Sequence, residues 1–297
     1  MLKRSFLLGA VLIVIVAGAF ALDDAAIEQA DLLYEDDEPQ AAFDILEDTL
    51  STAGNGAERA EVLWRMSRAT LDIVELEEDK GGPEDPVLAI YARGEQYGVQ
   101  AVDADPRNHL GYYWQSANIG KWGQLKGILN SLFKAGPMRE LLTQAINYEP
   151  NHADSYYVLG QMYEQVPGLI SFGNKDFAVS LGRRSIELHE AELASGVEDE
   201  MNHDYYVQMA SHLLARDWDE NKRGREQSKK ERNYNDTNDV LERGCYYEGV
   251  IDIPGQSDHD EAEDLLRRMI DSLENISDRS DGQNRQLDEA RELWDQL

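Results

Sequence analysis

Cysteine occurs once in the 297 residues, at Cys245, so no internal disulfide is available and stability must come from packing. A lone thiol beside Tyr246 and Tyr247 reads as a small apolar residue rather than a nucleophile. Proline is scarce, at 8 residues, and leaves long stretches free to be helical. Cations are scarce too. Only 28 Lys and Arg, nine of them Lys, stand against 58 Asp and Glu, for a net charge of −30. Taken as a whole, such a chain repels nucleic acid and anionic lipid surfaces, and its carboxylates suit either a salty habitat or a basic partner. Catalytic signatures are missing as well. His189-Glu190 opens like the zinc-protease HExxH, but Leu193 stands where the second histidine belongs. There is no CxxC pair, P-loop, GxSxG or calcium loop, and the six histidines are scattered. A non-enzymatic chain with no metal or cofactor is therefore expected.

Long apolar runs are absent beyond the first 21 residues. There, Lys3 and Arg4 precede an apolar core from Phe6 to Val16, and Ala19-Phe20-Ala21 forms a small-x-small site. These features predict a secretory signal peptide over 1–21, with Leu22 as the first mature residue. The alternative is an uncleaved anchor, although Phe6 to Ala21 falls short of the roughly 18–20 apolar residues of a span. Leu22 occupies the place where a lipoprotein would need Cys. Cleavage would remove two cations and take the charge from −30 to −32. The expected location is the periplasm or the exterior.

What the chain has in abundance is helical repetition. Tyr156, Leu159, Gly160 and Tyr163 fall at i, i+3, i+4 and i+7 on one helix face, and Pro150 ends the helix before them. This is the first-helix pattern of the tetratricopeptide (TPR) repeat, with Tyr for its Trp. Gly160 is expected to admit a close partner helix. The predicted fold is an all-α, TPR-like helix-turn-helix solenoid over 22–297. Degenerate units are expected near 22–50, 57–106, 109–150, 153–195 and 203–253, followed by capping helices over 261–297. Cys245 to Ile253 is expected to continue the closing helix of the fifth unit. The third unit repeats the pattern with Tyr112, Ser116 and Ile119, and the fifth with Tyr206, Met209, Ala210 and Leu213. Two insertions, Gly120 to Pro137 and Pro167 to Lys175, lie between the two helices of their units. The first carries an amphipathic stripe, Leu125, Ile128, Leu129, Leu132 and Phe133, that Gly136-Pro137 is expected to end. The one basic cluster, Lys222, Arg223, Arg225, Lys229, Lys230 and Arg232, reads either as a dock for an acidic group or as a solvated segment paired with neighbouring carboxylates.

First helices of such units line a concave groove. That placement makes Tyr113, Ala117, Tyr157 and Gln161 groove residues, with Asn118, Lys121, Trp122 and Lys126 beside the first insertion and Phe172 and Lys175 on the second. Aromatic residues there suit either a ligand or partner site or plain packing, with Trp114, Trp122 and Phe133 filling the contact made by the insertion.

The stretch from "YYWQSANIGKWGQLKG" to "VSLGRRSIELH", with its Glu149-Pro150-Asn151-His152-Ala153-Asp154 junction and the closing "EARELWDQL", resembles a helical-repeat region shared by two groups. One is the regulator of microtubule dynamics family; the other is the periplasmic TPR component associated with TRAP transporters. The leader favours the second. That resemblance implies an exported scaffold that binds another exported protein, in particular a transporter solute-binding protein. The alternative it implies is a carrier or sensor holding a small hydrophobic ligand in the groove.

Overall fold

The computed structural model describes residues 24–78 and 84–297, together with the side chains of all but 75–78 and 128–131. The expected leader, the Gly81-Gly82-Pro83 stretch, whose sequence predicts a helix break, and the side chains of Ile128 and Leu129 in the inserted stripe lie outside what is described.

Among the described residues the chain forms thirteen α-helices and a 3₁₀ turn, with no strand. It is an all-α helical solenoid. Helices pair in sequence: α1 (Asp24–Glu35) with α2 (Pro39–Leu50), α3 (Gly56–Glu78) with α4 (Glu84–Ala104), α5 (His109–Lys126) with α6 (Ile128–Tyr148), and α7 (Ala153–Gln165) with α8 (Lys175–Ser195). Each first helix also packs on the second helix before it. Local chemistry sets the boundaries. Pro39 starts α2 at a position that needs no N–H. Asn108 caps α5 by accepting the Gly111 N–H at 3.0 Å, and Asn174 caps α8 by accepting from Asp176 and Phe177. Gly127, at φ +82°, separates α5 from α6, and Gly196, at φ +73°, closes α8.

Repetition extends to single hydrogen bonds. The hydroxyl of Tyr112 donates to the Pro106 carbonyl at 3.0 Å, and that of Tyr156 donates to the Pro150 carbonyl at 3.2 Å, six residues back in both units. The core consists of three clusters along the stack. Leu46, Leu63 and Met66 belong to the first two units, Leu71, Val74 and Tyr91 to the α3–α4 contact, and Leu142, Leu159, Leu181, Met209, Leu213 and Leu266 to the rest. Trp114 packs against all three and so joins them.

Three expectations are corrected. First, Gly136-Pro137 does not end the inserted helix. Residues Ile128–Tyr148 are one helix with Pro137 inside it. The missing N–H and ring clash of an interior proline cost ~3 kcal/mol. Burying Ala135, Leu142, Ala145 and Ile146 along the same helix offsets that loss. The first insertion is therefore an extension of α5 and α6 hinged at Gly127, not a separate element.

Second, the partner of α9 (Asp204–Arg216) is α12 (Asp258–Glu274), which was expected to cap the stack. Between them lie α10 (Glu220–Asp236), α11 (Val240–Cys245) and the 3₁₀ turn Tyr247–Val250, so no helix runs on to Ile253. Only α13 (Asp281–Trp294) covers the end, starting at a Ser280–Gln283 capping box. Gly249 lets the turn sit against α10, since a Cβ there would lie 2.3 Å from the Glu231 nitrogen.

Third, the basic cluster is neither a free dock nor wholly solvated. Arg223, Lys230 and Arg216 are buried, and with the partly buried Arg183 they lie among Asp176, Glu248, Asp258 and Glu261. Arg183 binds Glu261 through both terminal nitrogens, each at 2.9 Å, and Glu248 through Nε at 2.8 Å. Arg216 binds Asp258 at 2.8 and 2.7 Å and Glu248 at 2.6 Å. Burial opposes ionisation of Glu248, yet Arg183, Lys230 and Arg216 hold its carboxyl well below the usual carboxylate range. Four cations facing four carboxylates fasten α10 and the 3₁₀ turn to α8 and α12.

Gly160 also works differently from the expectation of a bare helix contact. A Cβ there would lie 2.8 Å from His212 Nε2 and 3.4 Å from the Ala178 carbonyl oxygen. The space is filled mainly by an imidazole from the next unit, held between Gly160 and Gly182, while Nδ1 bonds Glu164. Cys245 is buried, and burial pushes its thiol up to about 12.

Candidate functional site

A groove of about 700 Å³ runs along the face made by the first helices. Tyr34 of α1 and Leu71 and Asp72 of α3 stand at one end, Tyr113, Ala117 and Lys121 of α5 and Tyr157, Val158, Gln161 and Met162 of α7 in the middle, and Asp204, Gln208 and Glu289 at the other end. Among the described residues one second helix, α6, reaches it. The N-terminal half of α6 brings Leu132, Lys134, Ala135 and Met138 to the wall.

The floor is aromatic and thioether-rich. Tyr113 is buried, edge-on to His152 at 4.8 Å and to Trp114 at 4.9 Å. Tyr157 is half-buried and leans on Tyr205 at 5.1 Å. Burial, reinforced by Asp204, Glu289 and Asp154, pushes the Tyr157 hydroxyl above the usual phenol range. Tyr157 is thus a neutral hydrogen-bonding group at every physiological pH. Gln161 donates to Gln208 at 3.0 Å and links α7 to α9 across the floor.

Charge divides the groove. Lys121 and Lys134 lie at the α5–α6 side, and Lys134 pairs with Glu95 at 2.9 Å. Asp204 and Glu289 lie at the α9–α13 side, where burial raises both carboxyls and Asp204 raises Glu289 further. Two like charges in a half-dry site favour a cation beside them.

Of the residues predicted for this site, Tyr113, Lys121, Tyr157 and Gln161 meet in the groove. Asn118 does not. It is fully buried between helices and donates to the Ser67 and Trp114 carbonyls, each at 3.0 Å, with Gly94 packed on its amide. Helix geometry explains the difference, since Asn118 lies one residue, about 100°, around α5 from Ala117. Trp122 packs on the Leu71–Tyr91 cluster with Lys134 4.5 Å over its ring. Phe133, expected to help fill the insertion contact, is exposed instead. Lys126 pairs with Glu84 at 2.8 Å outside the groove. Phe172 lies on Tyr163 at 5.2 Å and under Arg139, and Lys175 is the first residue of α8; neither lines the groove.

Sequence reasoning missed Met138, Val158, Met162, Asp204, Gln208 and Glu289. Gln208 stands in its unit where Val158 stands in the unit before, and both line the groove, so the repeat register relates these two missed positions to each other. Nothing marked Glu289, which reaches the groove only because α13 folds back on α9. Among the described residues no group of three or more His, Cys, Asp or Glu is placed to hold a metal, and no helix is long and apolar enough to cross a membrane.

Comparison with known proteins places this architecture. The family described as regulator of microtubule dynamics protein 1-3 matches residues 26–175, from α1 to the start of α8. Regulator of microtubule dynamics protein 1 of Bos taurus is 28% identical over 151 residues, 51% of this chain and 45% of that protein. The Mus musculus protein of the same name is 27% identical over 145 residues, and regulator of microtubule dynamics protein 3 of Rattus norvegicus is 25% identical over 175 residues, 34% of its length. The chain therefore spans less than half the length of these relatives. A crystal structure of a thermophilic TPR protein from Thermus thermophilus is similar at 14% identity and a TM-score of 0.47, over 76% of this chain and 98% of that one. By the family match across half its length, the chain belongs to the regulator of microtubule dynamics protein 1-3 family.

Proposed function

We propose that the chain is a non-enzymatic scaffold that holds a segment of a partner protein in its first-helix groove. One observation carries this reading: the groove is lined by first helices from α1 to α9, its lining is largely aromatic and apolar, and it carries Lys121 and Lys134 on its α5–α6 side with acids at its ends, Asp72 at one and Asp204 and Glu289 at the other. An amphipathic segment with acidic groups toward Lys121 and Lys134 and a basic group toward Asp204 and Glu289 matches that pattern. If the leader directs export, the partner is another exported protein, and a transporter solute-binding protein is the first to assay on the resemblance noted above. A photo-cross-linking residue at Gln161 should give one specific adduct in the native host, absent when the probe is at exposed Arg267. Equal adducts from both positions, or none from Gln161, would overturn the reading.

A second occupant is favoured by size. A volume of about 700 Å³ lies within the roughly 300–1,000 Å³ range of small-molecule sites, and Met138, Met162, Leu132 and Tyr157 suit a hydrophobic ligand. Native mass spectrometry of the purified chain should then show a bound small molecule, and a clean protein mass refutes that occupant.

A further inference from the structure

Imidazoles gather behind the groove floor, where the first turns of α5 and α7 meet. His109, the first residue of α5, and His152, the residue before α7, stand edge to face with ring centroids 5.1 Å apart. His152 is also edge-on to the floor residue Tyr113 at 4.8 Å. Two residues further on, Asp154 accepts the Tyr205 hydroxyl at 2.6 Å, which ties α7 to α9. Tyr205 in turn supports the floor residue Tyr157 at 5.1 Å and stacks on His189 of α8 at 4.6 Å. His152 therefore touches Tyr113 directly and reaches Tyr157 through Asp154 and Tyr205.

These surroundings suit neutral rings and leave little for charged ones. Burial lowers both imidazoles, and His152 lowers His109 further. Each ring also lies at the positive end of a helix. The acids that face the pair are Glu61 of α3, Glu149 after α6 and Asp154 of α7. All three are engaged: Glu61 by Asn108 at 2.8 Å and Arg65 at 2.9 Å, Glu149 by the Asn151 N–H at 3.1 Å, and Asp154 by Tyr205. An imidazolium here either repels its neighbour or draws one of these carboxylates off its present donor. His189, faced by Asp154 and Glu190 and lowered by burial, adds a third ring of the same sign. Glu192, 3.9 Å from His189 Nδ1, has the opposite sign. Burial, Asp154 and Glu198 push it up to about 7, so its proton uptake comes first and relieves repulsion.

We propose that this layer is an acid-sensitive joint: proton uptake by His109 and His152 parts the first turns of α5 and α7, frees Tyr205 from Asp154, shifts Tyr113 and Tyr157 in the floor, and releases what the groove holds. The release rests on the groove reading above; the movement of the floor does not. Because the folded rings ionise below the unfolded value near 6.5, the closed joint is complete above about pH 6.5 and is lost as pH falls through the folded values. Histidine is the side chain suited to such a change near neutral pH.

The test uses the full chain with Ala117→Cys, in the groove, carrying an environment-sensitive fluorophore. Labelling is selective because Cys245 is buried and its thiol pushed up to about 12. Between about pH 8 and about pH 5 the emission should change in one step with its midpoint below about 6.5. The step should be absent when His109→Gln and His152→Gln are combined. Nuclear magnetic resonance of the rings gives a second readout: in His152→Gln alone, His109 should titrate closer to the ordinary value near 6.5. A pair that is only packed would leave the His109 midpoint in place, which overturns the joint. So does an emission flat to about pH 5, a step that survives in the double variant, or one abolished by Glu192→Gln. Photo-cross-linking from Gln161 at both ends of the range reads the release. Wild type should lose most of its adduct in acid, and the double variant should keep it. Equal wild-type adducts overturn the release while the groove reading stands; no adduct at either pH overturns the groove reading and the release with it.

Discussion

Replacing Glu248 by Gln removes one charge from the buried network that fastens α10 to α8 and α12. The Glu248 carboxylate, in a residue only 3% exposed, receives Arg183 Nε at 2.8 Å and Arg216 Nη1 at 2.6 Å, and also binds Lys230. Gln keeps the shape but leaves Arg183, Arg216, Arg223 and Lys230 facing only Asp176, Asp258 and Glu261. Its amide also turns one acceptor into a donor that points at other donors. Breaking one member of a buried ion pair costs about 3–5 kcal/mol, a large share of the ~5–15 kcal/mol that holds an ordinary domain. Urea unfolding at pH 7, followed by far-UV circular dichroism, should show that loss. Acid provides the second arm. Because the folded Glu248 carboxyl lies well below its unfolded value, its contribution is complete above about pH 4.3 and is lost as pH falls through the folded value. The gap between wild type and Glu248→Gln should therefore close in acid. Burial shields the network from screening, so the gap should persist in molar salt. Lys229→Ala, which removes only the exposed 3.4 Å pair with Glu226, should change little. A gap below about 1 kcal/mol at pH 7, or one that survives in strong acid, refutes this account of the fifth unit.

Three further outcomes follow from the packing. Gly160→Ala places a methyl group 2.8 Å from the buried His212 ring and should lower stability by about 1–3 kcal/mol in thermal unfolding. Asn118→Ala removes the bonds to the Ser67 and Trp114 carbonyls and should cost about 2–3 kcal/mol in urea, while leaving any groove ligand bound. The Cys245 thiol, pushed up to about 12 by burial, should not react with a disulfide reagent in the folded chain at pH 8 and should react fully in urea.

The parts of this fold legible in the sequence are those set by periodicity. Tyr156, Leu159, Gly160 and Tyr163 share one face by spacing alone, and the same spacing recurs in units three and five, so the helical solenoid and the groove positions Tyr113, Tyr157 and Gln161 could be placed. The fifth unit was misread because α12, far along the chain, supplies both the apolar face that packs on Met209 and Leu213 of α9 and the carboxylate that meets Arg216. Nothing in a run such as Lys222 to Arg232 says which cations are buried. The seven-residue spacing of Arg223 and Lys230 on one helix face, with Asp258 and Glu261 three apart downstream, was the available signal. Pro137 misled because its local penalty is small beside the burial that α6 gains over its whole length. Asn118 misled because a polar residue beside the groove looks the same in sequence as one bonded between helices.

Recognition in the first-helix groove is tested most directly by affinity for the protein cross-linked from Gln161. Wild type, Val158→Arg and Lys229→Glu should be compared by titration calorimetry. Val158 lines the groove and Lys229 lies exposed on α10. Val158→Arg should weaken binding by at least about tenfold, the cost of a charge and a steric clash in an apolar contact, while Lys229→Glu matches wild type. Equal affinities for all three would contradict the assignment of the groove as the binding site.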